Sequence, residues 1–128
     1  MTKTIVNPEG VPQPIGPYSQ AVRAGNLLFV SGQIPIDPAS GKLLDGDVER
    51  QARRVMENVA AILRSEGLSF ADLVKATIYL RSLGDFEIVN KVYGEYVESN
   101  PPARACVEVS GLPKGAAVEI EAIAVYGP

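Results

Sequence analysis

The sequence predicts an α+β layer fold: one six-stranded mixed sheet with two helices on one of its faces. Three observations predict it. Apolar residues alternate with polar ones in several short segments, the period-two signature of half-buried strands. Two longer segments instead repeat apolar residues every three or four positions, the stripe of an amphipathic helix. Turn residues separate these segments, so that the elements run in the order β-ββ-α-β-α-β-β. The chain has 128 residues, 46% of them apolar, which suits one domain with one core over residues 1–128.

Taken in order, "TKTIV" (2–6) reads as a short strand. "NPEGVPQPIGPYSQ" (7–20) carries Pro8, Pro12, Pro14 and Pro17 together with Gly10 and Gly16. Proline fixes φ and lacks an amide donor, so this segment is a stiff extended loop. "AVRAGNLLFVSGQ" (21–33) forms a hairpin around Gly25-Asn26. Within it "LLFV" is apolar on both faces, which predicts a strand buried on both sides. "PIDPASGKLLDGD" (35–47) is a loop rich in turn residues. The first long helix runs from Val48 to Ser65, with Val48, Ala52, Val55, Val59 and Ile62 as its stripe. Asp45 or Asp47 caps its start and Gly67 ends it. "VKATIYL" (74–80) alternates as a strand. The second helix runs from Asp85 to Val97, burying Phe86, Val89, Val92, Tyr93 and Tyr96, until Asn100-Pro101-Pro102 stops it. "ARACVEV" (103–109) and "AVEIEAIAVY" (117–126) are the closing strands, joined by "SGLPKGA".

Width predicts assembly. Six strands at about 4.8 Å make a sheet roughly 25–30 Å across. Two helices, each about 10 Å wide, cover one face. The other face still carries apolar residues, which an oligomer would hide.

Composition narrows the chemistry. The net charge is −3 without a long charged run, which argues against a dedicated nucleic-acid surface. One cysteine allows no disulfide within the chain and fits a reducing compartment. No apolar run approaches the roughly 20 residues needed to span a bilayer. "MTKTIVNPEG" lacks the layout of a signal peptide, so a cytoplasmic location is the expectation. There is no histidine, which excludes a Ser-His-Asp triad and, with a single cysteine, argues against a zinc or copper site; no metal is expected. No dinucleotide fingerprint or P-loop is present, and no cofactor is expected. Catalysis would fall to Arg, Lys, Glu, Asp, Tyr, Ser, Cys, the backbone and water.

The strand "ARACVEV" concentrates that chemistry. Arg104, Cys106 and Glu108 share one face, and Ala103, Ala105, Val107 and Val109 the other. A lone strand arginine is most often a solvated edge residue or one half of an interface ion pair. Functionally, its planar guanidinium matches a carboxylate with two donors and stays charged when half buried. "VEIEAIAV" reads as the partner strand of "ARACVEV"; in it Glu119, Glu121, Ile123 and Val125 share one face, and Val118, Ile120, Ala122 and Ala124 the other. Glu119 reads either as a salt-bridge partner or as a carboxylate that holds a water. Arg50, Arg53 and Arg54 look basic, but Glu49 and Glu57 flank Arg53 at four-residue spacing, which reads as a solvated helix face.

Four blocks taken together, "GPYSQA" (16–21), "VSGQIPIDP" (30–38), "NPPARACVEVSGLP" (100–113) and "VEIEAIAV" (118–125), closely resemble the RidA/YjgF family of reactive-intermediate (enamine/imine) deaminases. The likeness covers essentially the whole chain. It implies a chorismate-mutase-like fold and a homotrimer with sites in the clefts between subunits. It implies a cofactor-free hydrolase acting on small 2-imino acids, such as those derived from 2-aminoacrylate, with 2-keto acids and ammonia as products. Carried over residue by residue, it makes Arg104 the group that grips the substrate carboxylate and Glu119 the group that positions water. Cys106, Tyr18, Ser31, Gly32 and Asn90 become substrate-binding positions. Glu121 has no such match. Three other readings stay open: a different enzyme for a carboxylated substrate on the same architecture, a non-catalytic trimer that binds 2-keto acids or other small carboxylates to regulate a partner, and, most weakly, an RNA-directed activity.

Overall fold

The local signals of the chain become six strands and two helices, seen in a computed structural model that describes residues 2–127. The strands are β1 (Lys3–Val6), β2 (Ala21–Ala24), β3 (Leu27–Gln33), β4 (Leu73–Leu80), β5 (Ala103–Glu108) and β6 (Val118–Val125), and the helices are α1 (Val48–Ser65) and α2 (Phe86–Tyr96). They form one mixed sheet in the order β1-β2-β3-β6-β4-β5. All neighbours are antiparallel except β4 and β5, which run parallel through the α2 crossover.

Each helix forms where its stripe and caps agree. The Asp47 side chain accepts the Arg50 amide at 2.9 Å, satisfying one of the free donors at the start of α1. Gly67, with φ +72°, takes the left-handed conformation just past its end. The helix buries Ala52, Val55, Met56, Val59, Ile62 and Leu63. Completely burying one such large side chain is worth about 1.5–3 kcal/mol. The first half of α1 packs with Val89, Val92 and Tyr93 of α2 over β4 and β6, and its second half packs over β1, β2 and β3. Two buried amides tie loops to α1: Gln51 Oε1 accepts the Ala117 amide at 2.9 Å, and Asn58 Nδ2 donates to the Ile36 carbonyl at 3.0 Å. The Arg53 surface is the exposed helix face expected, wired only in part by the four-residue spacing. Arg53 meets Glu95 at 2.8 Å and Glu49 at 3.9 Å, whereas Glu57 accepts the Tyr96 hydroxyl at 2.8 Å.

One face of the sheet is covered and the other is bare. The row Val6–Ala21–Val30–Ala122–Ala76–Arg104 runs across all six strands on the helix side. Its first five residues are buried. The row Ile5–Val22–Phe29–Ile123–Lys75–Ala103 crosses the opposite face. There Ile5 is 58% and Phe29 42% exposed. The expectation that "LLFV" is buried on both sides is therefore corrected for this chain: Leu28 and Val30 lie beneath α1, while Phe29 points away from both helices.

Candidate functional site

The sequence-predicted residues gather in two places rather than one. The first is a cleft of about 640 Å³ on the helix-free side, whose lining includes Tyr18, Ser31, Gly32, Lys114, Glu119 and Glu121. Local geometry explains each. The proline-rich loop carries Tyr18 to the cleft and is anchored by Gln20. That buried side chain donates from Nε2 to the Pro12 carbonyl, while the Gln20 backbone N–H donates to Asn7 Oδ1 at 2.8 Å. The Ser31 amide donates to the Gln20 carbonyl at 2.9 Å, and its hydroxyl donates to the Ser19 carbonyl. Both bonds fall where the β3–β6 register shifts between Val30 and Gln33. That irregularity turns the end of β3 toward the cleft.

Gly32 has a specific reason to be glycine. A Cβ built there would stand 2.6 Å from Glu119 Oε2 and 2.8 Å from Glu119 Cδ. The Glu119 side chain therefore lies directly over the Gly32 backbone. It accepts no hydrogen bond and forms no ion pair among the described residues. Burial, and secondarily the negative charge of Glu121, raise its pKa above the ordinary carboxylate value. Tyr18 is 52% exposed, so it covers the cleft without being locked into the core.

The second place is the outer edge of the sheet. Arg104 lies on edge strand β5, on the helix side, at the open end of the otherwise buried row. Its Nη1 donates to Asn90 Oδ1 of α2 at 2.7 Å. Its guanidinium carbon lies 5.0 Å from the Tyr93 ring centre and 5.6 Å from that of Phe86. One helix therefore supplies a hydrogen bond and two aromatic faces to a single cation. Cys106 shares this face, half buried against the core beneath α2. Burial raises its thiol pKa, with Arg104 pulling the other way. It is thus a poor thiolate at neutral pH.

The two places lie on opposite faces. Tyr79 pairs with Glu119 on one side and Val107 on the other, so those three share the bare face. Ala76 pairs with Ala122 and Arg104, which share the helix face. The sequence reading that took the Glu119 strand as the partner of the Arg104 strand is corrected: β4 runs between them. A cleft that needed both groups would need two copies of the chain.

Residues that sequence reasoning passed over also line the Glu119 cleft. Lys114 is its one basic lining residue among the described residues, held at φ +58° in the turn before β6. Glu121 lies on the same wall as Glu119. The signal for Lys114 was the "PKG" turn, and for Glu121 the strand alternation itself.

With this geometry in view, the family description endoribonuclease L-PSP matches residues 9–126. The chain belongs to the RidA/YjgF family. Among its RidA/YjgF relatives, a RutC family protein of Pyrococcus horikoshii is 52% identical over 122 residues, covering 95% of this chain and 97% of that one. A Bos taurus protein named 2-iminobutanoate/2-iminopropanoate deaminase is 46% identical over 128 residues, covering 100% of this chain and 93% of that one. The crystal structure of Escherichia coli TdcF with bound serine superposes with a TM-score of 0.91 at 42% identity, covering 97% of this chain and 99% of that one. The α+β sheet with two helices is the architecture of these RidA/YjgF neighbours.

Proposed function

We propose that this chain hydrolyses 2-iminobutanoate- and 2-iminopropanoate-type intermediates, released by pyridoxal-phosphate-dependent dehydratases in the cytoplasm, to 2-keto acids and ammonia. The observation that carries this reading is the uncommitted Glu119 carboxylate in a formed cleft beside Tyr18, Ser31 and Gly32. The name of the bovine relative supports it, as does the serine held by the E. coli neighbour, a small amino acid bearing one carboxylate.

In this reading the working unit is a homotrimer. The Arg104 edge of one copy closes the Glu119 cleft of the next, and the bare sheet face is covered. Asn90 occupies one guanidinium nitrogen, leaving other donors for the substrate carboxylate. That grip fixes the imino carbon over Glu119. Glu119 takes a proton from water as the new carbon–oxygen bond forms, and the electron pair of the carbon–nitrogen double bond moves onto nitrogen. Protonated nitrogen then departs as the carbonyl forms. Tyr18, Ser31 and Gly32 enclose the substrate, and Cys106 lines the pocket without attacking. Such imines already hydrolyse in water, so a general base worth about 10²–10⁴-fold is enough. Two carboxylates and a single lysine around the cleft make a poor seat for a polyphosphate backbone.

The test couples a serine or threonine dehydratase to this protein and follows keto-acid formation while the imine pool persists. Acceleration of at least tenfold over buffer, falling by about 10²-fold or more in Arg104→Ala, is expected. No acceleration, with 2-keto acids still bound, would replace the enzyme by a carboxylate-binding module.

A further inference from the structure

The reaction must hand a proton from water to a leaving nitrogen, and the cleft contains more machinery for this than Glu119 alone. Strand alternation places Glu119 and Glu121 on the same face, two residues and so about 6.7 Å apart along β6. Both line the same cleft. The Glu119 carboxylate is half buried over Gly32, and Glu121 is exposed. Tyr79 of β4 pairs in register with Glu119, and Thr77 pairs with Glu121. The Tyr79 phenol lies beside Glu121. Burial, then the charge and hydrogen-bonding capacity of Glu121, push its pKa up, so it stays a neutral neighbour at physiological pH.

We propose that Glu121 is a positioning residue of this reaction: its negative charge, sharing a wall of the cleft with Glu119, keeps on Glu119 the proton taken from water until the departing nitrogen collects it. The inference rests on the imine-hydrolase reading and adds a residue to it. Water adds to the iminium carbon and loses one proton to ionised Glu119, giving a neutral carbinolamine and a neutral Glu119 carboxyl. The amine nitrogen takes that proton, the carbon–nitrogen bond breaks, and its electron pair leaves with ammonia. The hydroxyl proton of the resulting protonated carbonyl passes to Glu119 or ammonia. The sum is iminium plus water to ketone plus ammonium. A carboxylate that released its proton to bulk solvent after the first step would have none ready for the second.

The groups facing Glu119 act in a definite sense. From β6, Glu121 is a negative charge that favours the protonated form, in line with the raised Glu119 value. From the turn before β6, Lys114 opposes it. From β4 and the proline-rich loop come the phenol rings of Tyr79 and Tyr18, and β3 contributes only uncharged Ser31, Gly32 and Gln33; Lys75 of β4 lines a second cleft with Glu121 and partly offsets its charge. In the proposed trimer the Arg104 charge of a neighbouring copy is met by the substrate carboxylate.

The test is the pH profile of kcat for the intact protein, compared with Glu121→Gln and Glu121→Asp. The acid limb reports loss of the ionised Glu119 base. Glu121→Gln is expected to move its midpoint to lower pH by about half a unit, the size of one carboxylate–carboxylate repulsion across a wet cleft, with KM little changed. Glu121→Asp keeps the charge and keeps the limb in place. A purely structural role would lower activity at every pH without moving the midpoint, and that result overturns the proposal. A carbon-13 NMR titration of the Glu119 carboxyl in the unaltered protein saturated with pyruvate, whose carboxylate meets the neighbouring Arg104 charge, gives a second reading that needs no variant to fold. A midpoint above the ordinary carboxylate value is expected, and one at or below it contradicts the proposal. If the unaltered protein fails to accelerate imine hydrolysis, the enzyme reading falls and the role of Glu121 with it. If it does accelerate and the limb stays fixed in Glu121→Gln, only the role of Glu121 falls.

Discussion

The Arg104 edge and the Glu119 cleft solve opposite problems. Arg104 is exposed yet well partnered: Asn90 holds it at 2.7 Å, and the rings of Tyr93 and Phe86 lie alongside. Glu119 is half buried yet without a partner among the described residues, over a glycine that leaves just enough room for it. A group that must recognise a fixed charge gains from being held in advance, because less side-chain freedom is lost on binding. A group that must accept and return a proton gains from being uncommitted, because a tight ion pair would stabilise one protonation state. The difference also shows in cost. The arginine end adds contacts to the fold, whereas the glutamate end leaves a carboxylate partly desolvated.

Several changes would sharpen or break this contrast. The largest effect is expected from Gly32→Ala. The added Cβ would meet Glu119 Oε2 at 2.6 Å, and the flexible carboxylate, rather than the backbone, would move. Displacing a reacting group by about 1 Å costs roughly 10–10²-fold in kcat, with KM nearly constant. Steady-state kinetics on the coupled assay checks this, and an unchanged kcat would detach Glu119 from the chemistry. Asn90→Ala acts on the other half. Loss of one partly exposed charged hydrogen bond, about 1 kcal/mol, should raise KM roughly fivefold and leave kcat close to its starting value. Equal loss in both variants and both parameters would erase the division of labour.

The smallest expected effect is on stability, and it has the opposite sign to the effect on activity. A carboxyl whose pKa is higher in the folded than in the unfolded chain binds its proton more tightly when folded. Stability therefore falls as pH rises through the interval between the two values, and at neutral pH the penalty is fully present. Glu119→Gln should remove it and raise Tm by roughly one to three degrees at pH 7, with the gain vanishing below the unfolded carboxyl value. Calorimetry at pH 7 and pH 3.5 reads both ends. A lower Tm at pH 7 would mean that Glu119 has a stabilising partner after all.

Local chemistry made most of the fold legible. The α1 stripe and its Asp47 cap specify the helix over Val48–Ser65, because period and cap agree residue by residue. The alternation in "VEIEAIAV" assigns its two faces without ambiguity, as the burial of Val118, Ile120, Ala122 and Ala124 shows. What alternation cannot supply is strand order. Arg104 and Glu119 lie on consecutive strands of the chain, and nothing local to either reveals that β4 separates them or that their faces are opposed. The covering of Phe29 escaped for a related reason. An apolar residue on a strand reports that something hides it, not whether a helix of the same chain or another molecule does so. Gly32 reads from sequence only as a permitted bulge, since the carboxylate that requires it comes from a strand 86 residues further on in the register-shifted β3–β6 pair.

The most direct test mixes two inactive chains. Arg104→Ala and Glu119→Gln proteins are unfolded together in equal amounts, refolded, and assayed for imine hydrolysis. If each working cleft takes its arginine from one copy and its glutamate from the next, about a quarter of the clefts regain both groups, and about a quarter of the original activity returns. Activity that stays at the level of the separate variants, with mixed oligomers shown to have formed, would contradict a cleft shared between chains.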